Sequence, residues 1–253
     1  MIDKARLLEI ARLSGLRPWQ QEKHYIQSLI LTSLSEEPIV FKGGTYLWFF
    51  QGLERFSEDL DFTAAEALLR HDLPRRVSRD LELFGVENGI KLISDTESTI
   101  SFRVDAKGPL NTSAVDLCRT YIEISKREIL AKKPLSLKFD RPEYSLPVKS
   151  LRGMDLDEVG AEKVRAILTR HKARDIYDLN YLAVNKGVKF EEELVNDKLK
   201  YYNMQFDGHK FMEKVASMEG FYSKELKGIV FGRLTGYDGI KGNLKKWVAS
   251  STP

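Results

Sequence analysis

Apolar positions recur at helical spacing through the first 35 residues: Leu7, Leu8, Ile10 and Ala11, then Leu13 and Leu16. After a break at Gly15 and Pro18 the pattern resumes with Tyr25, Leu29, Ile30 and Leu34. This spacing predicts two amphipathic helices. From Pro38 the period shortens. Residues 39–41 read as a buried strand, a Lys-Gly-Gly-Thr turn follows, and a hydrophobic helix runs through Phe50. Residues 59–62 alternate as a strand, 64–85 look helical, 90–93 and 100–104 look like strands, and 114–125 carry another. Residues 126–152, punctuated by Pro134, Pro142 and Pro147, hold eight Lys or Arg against three Asp or Glu and read as a connecting segment. Beyond Asp155 helical periodicity dominates, interrupted by a series of glycines. The pattern predicts an α+β fold: a mixed sheet with flanking helices over residues 1–150, then a mostly helical domain over 151–253.

Composition narrows the classes. Among 253 residues, 42% are hydrophobic and 30% charged, enough to bury a core and too apolar for wholesale disorder. Forty Lys and Arg against 37 Asp and Glu leave a formal charge of +3, so any basic surface must be local. A single cysteine, Cys118, excludes an internal disulfide and any multi-cysteine metal site. It suits a reducing compartment and reads as a small apolar core residue. The longest apolar run is 46–50, too short to span a bilayer, and the first residues are charged rather than signal-like. A cytoplasmic protein without membrane association is expected. The four histidines have no metal-ligand spacing.

The richest stretch is 41–62, FKGGTYLWFFQGLERFSEDLDF. Strand side chains alternate, so Asp59 and Asp61 share one face while Leu60 and Phe62 take the other. Two like charges side by side repel, and a divalent cation relieves that; Mg²⁺ takes oxygen ligands and keeps substrate phosphates in its shell. Upstream, Gly43 and Gly44 let backbone N–H groups approach a phosphate, the following helix offers its positive end, and Thr45 adds a hydroxyl. The bland reading is a pair of solvated edge-strand charges.

Gly-Gly-Thr, a short helix, then Arg55-x-Ser57-x-Asp59-x-Asp61 resembles the nucleotidyltransferase motif of the DNA polymerase β-like superfamily, specifically the AbiEii/AbiGii toxin family that includes the MenT toxins. Lys163-x-x-Ala166 and Arg174-Asp175-x-x-Asp178 are similar to that family's later motifs. The matched stretches span residues 41–179. The resemblance implies a polymerase β-like mixed sheet and a helical C-terminal domain closing the nucleotide cleft. It implies transfer of a nucleoside monophosphate from an NTP, with pyrophosphate released, to the 3′ end of tRNA. It also implies two Mg²⁺ ions and a separately encoded antitoxin. Asp59, Asp61 and Glu123 would be the metal ligands, with Lys163 and Asp175 also catalytic. Gly43, Gly44, Thr45, Ser57 and Lys163 would bind nucleotide. Alternatives are a small-molecule or protein nucleotidyltransferase, or a binding module without turnover.

Helical geometry bears on the second motif independently. At about 100° per residue, Lys163 falls among Leu156, Val159 and Ile167, and Asp175 shares a face with Leu179 and Leu182. Buried charges need partners. Without function, Lys163 snorkels from an interface edge and Asp175 complements a helix dipole. Arg55 would balance the carboxylates and Ser57 would brace the loop. For the third carboxylate, Glu123 alternates out from Ile122 and Ile124, where the family commonly has Asp; Asp116 and Asp105 are rivals. If 114–125 is one regular strand, Asp116 and Glu123 point to opposite faces. Residues 163–174 carry five Lys or Arg and no acid except the bordering Asp175, a surface suited to RNA phosphates or simply a solvated helix face.

Overall fold

The computed structural model describes residues 1–65, 72–127 and 129–250. The chain forms two compact units. The first comprises Met1–Tyr46, Glu58–Ile129 and Pro134–Gly153; the second comprises Leu47–Ser57, Leu130–Lys133 and the chain from Met154 onward.

The first unit is built on a mixed seven-stranded sheet. Helices α1 (Lys4–Ser14) and α2 (Pro18–Leu34) lead in, delimited by the signals read from sequence. Asp3 caps α1 by accepting from the Arg6 N–H at 2.8 Å, and Gly15 ends it at φ 72°. Then come β1 (Ile39–Lys42), α3 (Gly43–Gln51), β2 (Leu60–Ala64), α4 (Leu73–Leu83), β3 (Asn88–Asp95), β4 (Thr99–Ala106) and β5 (Cys118–Ser125). Strands β6 (Leu135–Phe139) and β7 (Lys149–Gly153) complete the sheet, in the order β3-β4-β5-β2-β1-β7-β6. β2 runs antiparallel to β1 and parallel to β5. One face carries Phe41, Leu60, Phe62, Phe102, Ile122 and Ile124, all buried. The other face is open along β4 and β5, where alternate residues are exposed or half-buried.

Helix α2 departs from a simple amphipathic reading, because its polar side is buried as well and several of its polar groups bond neighbours. Gln27 Nε2 donates to the Glu58 carbonyl at 2.9 Å, Ser33 Oγ to Asp80 Oδ2 at 2.6 Å, and Glu22 Oε1 accepts from the Leu110 N–H at 2.6 Å.

Three expectations need correction. Residues 126–152 are more than a connection, since they supply β6 and β7. Both strands are short, flanked by prolines, and alternate buried Leu137, Phe139 and Leu151 with exposed Ser and Lys, so charge hid a period of two. The strand expected over 114–125 begins only at Cys118, and Asp116 lies in a turn whose N–H bonds the Ser113 carbonyl. Of the helix expected over 64–85, Ala64 ends β2, α4 covers Leu73–Leu83, and 66–71 lie outside the described residues.

The second unit is helical, as the periodicity beyond Asp155 predicts: α5 (Leu156–Thr169), α6 (Ala173–Asn185), α7 (Glu192–Leu199), α8 (Gly208–Ser217), α9 (Glu219–Leu226) and α10 (Tyr237–Ala249). The segment 47–57 belongs to it. Tyr181 donates to the Gln51 carbonyl at 2.7 Å, and Phe56 N–H to the Ile229 carbonyl at 2.7 Å. Among the described residues no helix is long and apolar enough to cross a membrane.

Candidate active site

Strand β1 ends at Lys42 and the chain enters α3 at once, with Gly43 at φ 78°. A side chain at this position would be strained by the left-handed backbone, and it would also collide. A Cβ on Gly43 would stand 3.0 Å from Asp61 Cβ and 3.1 Å from its Cγ, and closer still to Oδ2. The Asp61 carboxylate therefore lies against the bare Cα that opens the helix. The positive N-terminal end of α3 lies in the same neighbourhood.

Asp61 is in register with Lys42 on β1 and with Glu123 on β5. Residues in register on adjacent strands share a face, so Asp61 and Glu123 stand side by side on the open face. Asp61 is half-buried and Glu123 exposed, with Arg127 3.6 Å from Glu123 Oε1. Asp59 precedes β2 and is half-buried. Its loop is held from two sides: Gln27 donates to the Glu58 carbonyl, and Thr45 Oγ1 donates to the Asp59 carbonyl at 2.5 Å. Thr45 is wholly buried, which corrects the expectation of a hydroxyl open to phosphate. Its hydroxyl is spent on the loop.

The structure also separates the three candidates for a third carboxylate. Glu123 is in register with Asp61. Asp105 is in register with Arg119 and is held by Arg103 through two bonds of 2.6 Å. Asp116 accepts from Thr112 Oγ1 at 2.5 Å; that bond and one from Ser113 hold its carboxyl below the usual range. Since Asp116 precedes β5, strand parity does not govern it.

A divalent cation is tested by this donor set. Among the described residues no three His, Cys, Asp or Glu side chains already converge into a cation cage. Mg²⁺ does not require one, because it is held by one or two carboxylates with substrate phosphates and water completing the shell. Asp61 and Glu123, adjacent on an open face with Asp59 two residues before Asp61, fit that description.

The second constellation lies within the helical unit. Lys163 on α5 and Asp175 and Asp178 on α6 are buried, as is Arg55. Arg55 grips Asp178 with two bonds, Nε to Oδ1 at 2.5 Å and the second nitrogen to Oδ2 at 2.6 Å. Lys163 Nζ lies 2.9 Å from Asp175 Oδ1 and 2.6 Å from Asp178 Oδ2. Arg170 closes the group on Asp175 at 2.7 and 2.9 Å. Burial alone would raise both carboxyls, but Lys163 and Arg170 hold Asp175 well below the usual range, and Arg55 and Lys163 do the same for Asp178. Three cations, Arg55, Lys163 and Arg170, thus meet the two carboxylates of Asp175 and Asp178.

Lys163 and Asp175 thus sit on the buried faces that helical geometry assigns them, each with a partner. Arg55 balances Asp178 rather than Asp59 or Asp61. Ser57 is half-buried and belongs to the second unit. Asp178 and Arg55 carry more of this cluster than sequence assigned them. The available signal was the Arg174-Asp175-x-x-Asp178 spacing, which puts two carboxylates on one helical face. Of the basic run 163–174, Lys163 is buried and Arg165 is half-buried against Glu162 and Tyr202, leaving Arg170, Lys172 and Arg174 nearer the surface.

Residues 25–234 match the nucleotidyl transferase AbiEii toxin family, type IV TA system. Several solved structures share the fold. MenT4, a nucleotidyltransferase toxin from Mycobacterium tuberculosis H37Rv, aligns with a TM-score of 0.68 at 20% identity, over 100% of this chain and 91% of that one. JHP933 from Helicobacter pylori aligns with a TM-score of 0.61 at 22% identity, over 91% of this chain and 90% of the other. No curated protein matches the chain.

Proposed function

The chain belongs to the AbiEii nucleotidyl transferase toxin family and is a nucleotidyltransferase; from that premise we propose that it is an Mg²⁺-dependent toxin that transfers NMP from an NTP to the 3′ end of tRNA, restrained by a separately encoded antitoxin. The observation that carries the metal and nucleotide reading is the seating of Asp61 on Gly43 with Glu123 in register beside it.

In this reading Asp59, Asp61 and Glu123 hold two Mg²⁺, which when bound lower the acceptor hydroxyl's pKa and stabilise charge on the phosphates. Gly43, Gly44 and the Thr45 N–H receive the triphosphate at the start of α3. Ser57 is assigned to nucleotide binding, and Asp175 supports catalysis by holding Lys163. Lys163 is assigned as a donor to the triphosphate. The acceptor oxygen forms a bond to the α-phosphorus as the α–β bridging bond breaks. Pyrophosphate leaves carrying the α–β bridging oxygen, and the hydroxyl proton is lost to water. The tRNA acceptor rests on the family and on the basic residues Arg170, Lys172 and Arg174.

Incubating the purified protein with Mg²⁺, each radiolabelled NTP and total RNA tests the proposal. Label in tRNA-sized RNA is the expected result. Label on the protein, on a small molecule, or nowhere refutes the acceptor assignment.

A further inference from the structure

The open face of the sheet continues past Glu123 into an aromatic and basic patch that transfer chemistry does not require. Tyr121 lies two residues before Glu123 on β5, hence on the same face, and is 44% exposed. Arg103 on β4 is in register with it, and Lys91 on β3 is in register with Arg103. The Arg103 guanidinium stands 5.8 Å from the centre of the Tyr121 ring. One step along, Arg119 lies across from Asp105, its Nε 3.8 Å from that carboxylate, which is also the one that fixes Arg103. Arg103 and Arg119 therefore share one carboxylate beside an exposed aromatic ring, with Lys91 across from Arg103.

Strand order decides what reaches this patch. The glycine turn follows β1, Asp61 is on β2, Glu123 is on β5, and the patch extends over β5, β4 and β3. In-line phosphoryl transfer sets the attacking hydroxyl and the leaving pyrophosphate on opposite sides of the α-phosphorus. With the triphosphate at the β1 turn, the acceptor approaches from the β5–β4–β3 side. We propose that this patch holds the single-stranded end of a nucleic-acid acceptor: a base stacks on Tyr121, backed by Arg103, and backbone phosphates meet Arg119 and Lys91. An aromatic platform flanked by cations is how single strands are bound without regard to sequence. A small acceptor has no use for cations this far from the carboxylates, and an acidic peptide would use the cations but not the ring. The inference rests on the transferase reading above in taking the triphosphate to lie at Gly43.

The test is binding without turnover: fluorescence anisotropy of a short fluorescein-labelled single-stranded RNA titrated with the full chain, in EDTA and without NTP. Tyr121→Ala is expected to weaken binding about tenfold, with Tyr121→Phe within about twofold of the parent. Arg119→Glu is expected to weaken binding and flatten its salt dependence. Asp61→Asn is expected to bind RNA like the parent while losing transfer, which separates the two readings. Folding of each variant is checked by circular dichroism. The proposal is overturned if Tyr121→Ala and Arg119→Glu, both folded, bind RNA like the parent. It is also overturned if the parent binds no RNA while transferring label to another acceptor.

Discussion

The Asp61 carboxylate rests against the Cα of Gly43, the residue that opens α3 at φ 78°. One glycine thereby meets two demands, a left-handed backbone at the strand-to-helix turn and room for a carboxylate beside the helix's positive end. Gly43→Ala is expected to cost on the order of 1 kcal/mol or more in stability and, by pushing Asp61 aside, to lower transfer at least about a hundredfold. Thermal denaturation and single-turnover transfer measure the two effects. Near-parental turnover in a folded Gly43→Ala protein would show that the contact has no catalytic meaning.

Asp59→Asn and Asp61→Asn are each expected to abolish transfer while leaving the melting temperature unchanged or slightly higher. The change removes one of two like charges but also a proposed cation ligand. Glu123→Gln is expected to impair Mg²⁺-dependent transfer by orders of magnitude. Asp116→Asn is expected not to, since its carboxylate is engaged in a turn with Thr112. Activity within tenfold of the parent in either aspartate variant, or the reverse ranking of Glu123 and Asp116, would refute the ligand assignment.

Much of this was legible in the chain because it depends on local period. The alternation at Leu60-Asp61-Phe62, the glycine turn before a helix, and the anomalous Lys163 and Asp175 all follow from spacing of two or 3.6 residues, whereas Asp59 precedes β2 and lies outside that alternation. What escaped depends on pairing across distance. The register that sets Glu123 beside Asp61, and Arg103 beside Tyr121, is decided by which strands adjoin. The bond from Thr45 to Asp59 and the bond from Gln27 to Glu58 join residues that no short motif links. β6 and β7 were hidden because lysines and prolines in short outer strands read as linker.

Asp178 accepts both bonds from Arg55 and a third from Lys163, wholly buried. Removing its charge strands a guanidinium in the interior of the second unit, a loss of roughly 3–5 kcal/mol. Asp178→Asn is therefore expected to lower the denaturation midpoint sharply, and Arg55→Met combined with Asp178→Leu to recover part of that loss. A single variant as stable as the parent would contradict the pairing.

Lys163 separates nucleotide binding from structure. A charge-assisted contact contributes roughly 1.5–3 kcal/mol, so Lys163→Ala is expected to raise the NTP dissociation constant about tenfold to a hundredfold. Arg55 and Arg170 continue to serve Asp178 and Asp175 in that variant. Titrating NTP into the folded protein checks it. Unchanged affinity with a lowered melting temperature would make Lys163 a structural member of the cluster alone.

The last prediction concerns pH and a histidine far from these motifs in sequence. His24 on α2 has its Nδ1 2.6 Å from the Tyr144 hydroxyl, which in turn accepts from Gln21 Nε2. A neutral ring can accept the Tyr144 proton at Nδ1, which a protonated ring cannot. Burial, and then the charge of Arg141, push the His24 pKa down to about 3 from the usual 6.5. The folded state thus refuses a proton that the unfolded chain accepts below pH 6.5. Stability is whole above that pH and falls as pH drops from 6.5 toward 3, by at most about 1.4 kcal/mol per unit. The carboxyls of Asp175 and Asp178, held low, weaken the fold only below the ordinary carboxylate range near 3.8, so they leave the upper part of this window to His24. Denaturant midpoints at pH 7.5, 6 and 5 are expected to decline in the parent and to stay nearly level in His24→Gln, whose amide oxygen accepts from Tyr144 at any pH. A parental midpoint that holds steady to pH 5 would mean that His24 takes up its proton in the folded protein.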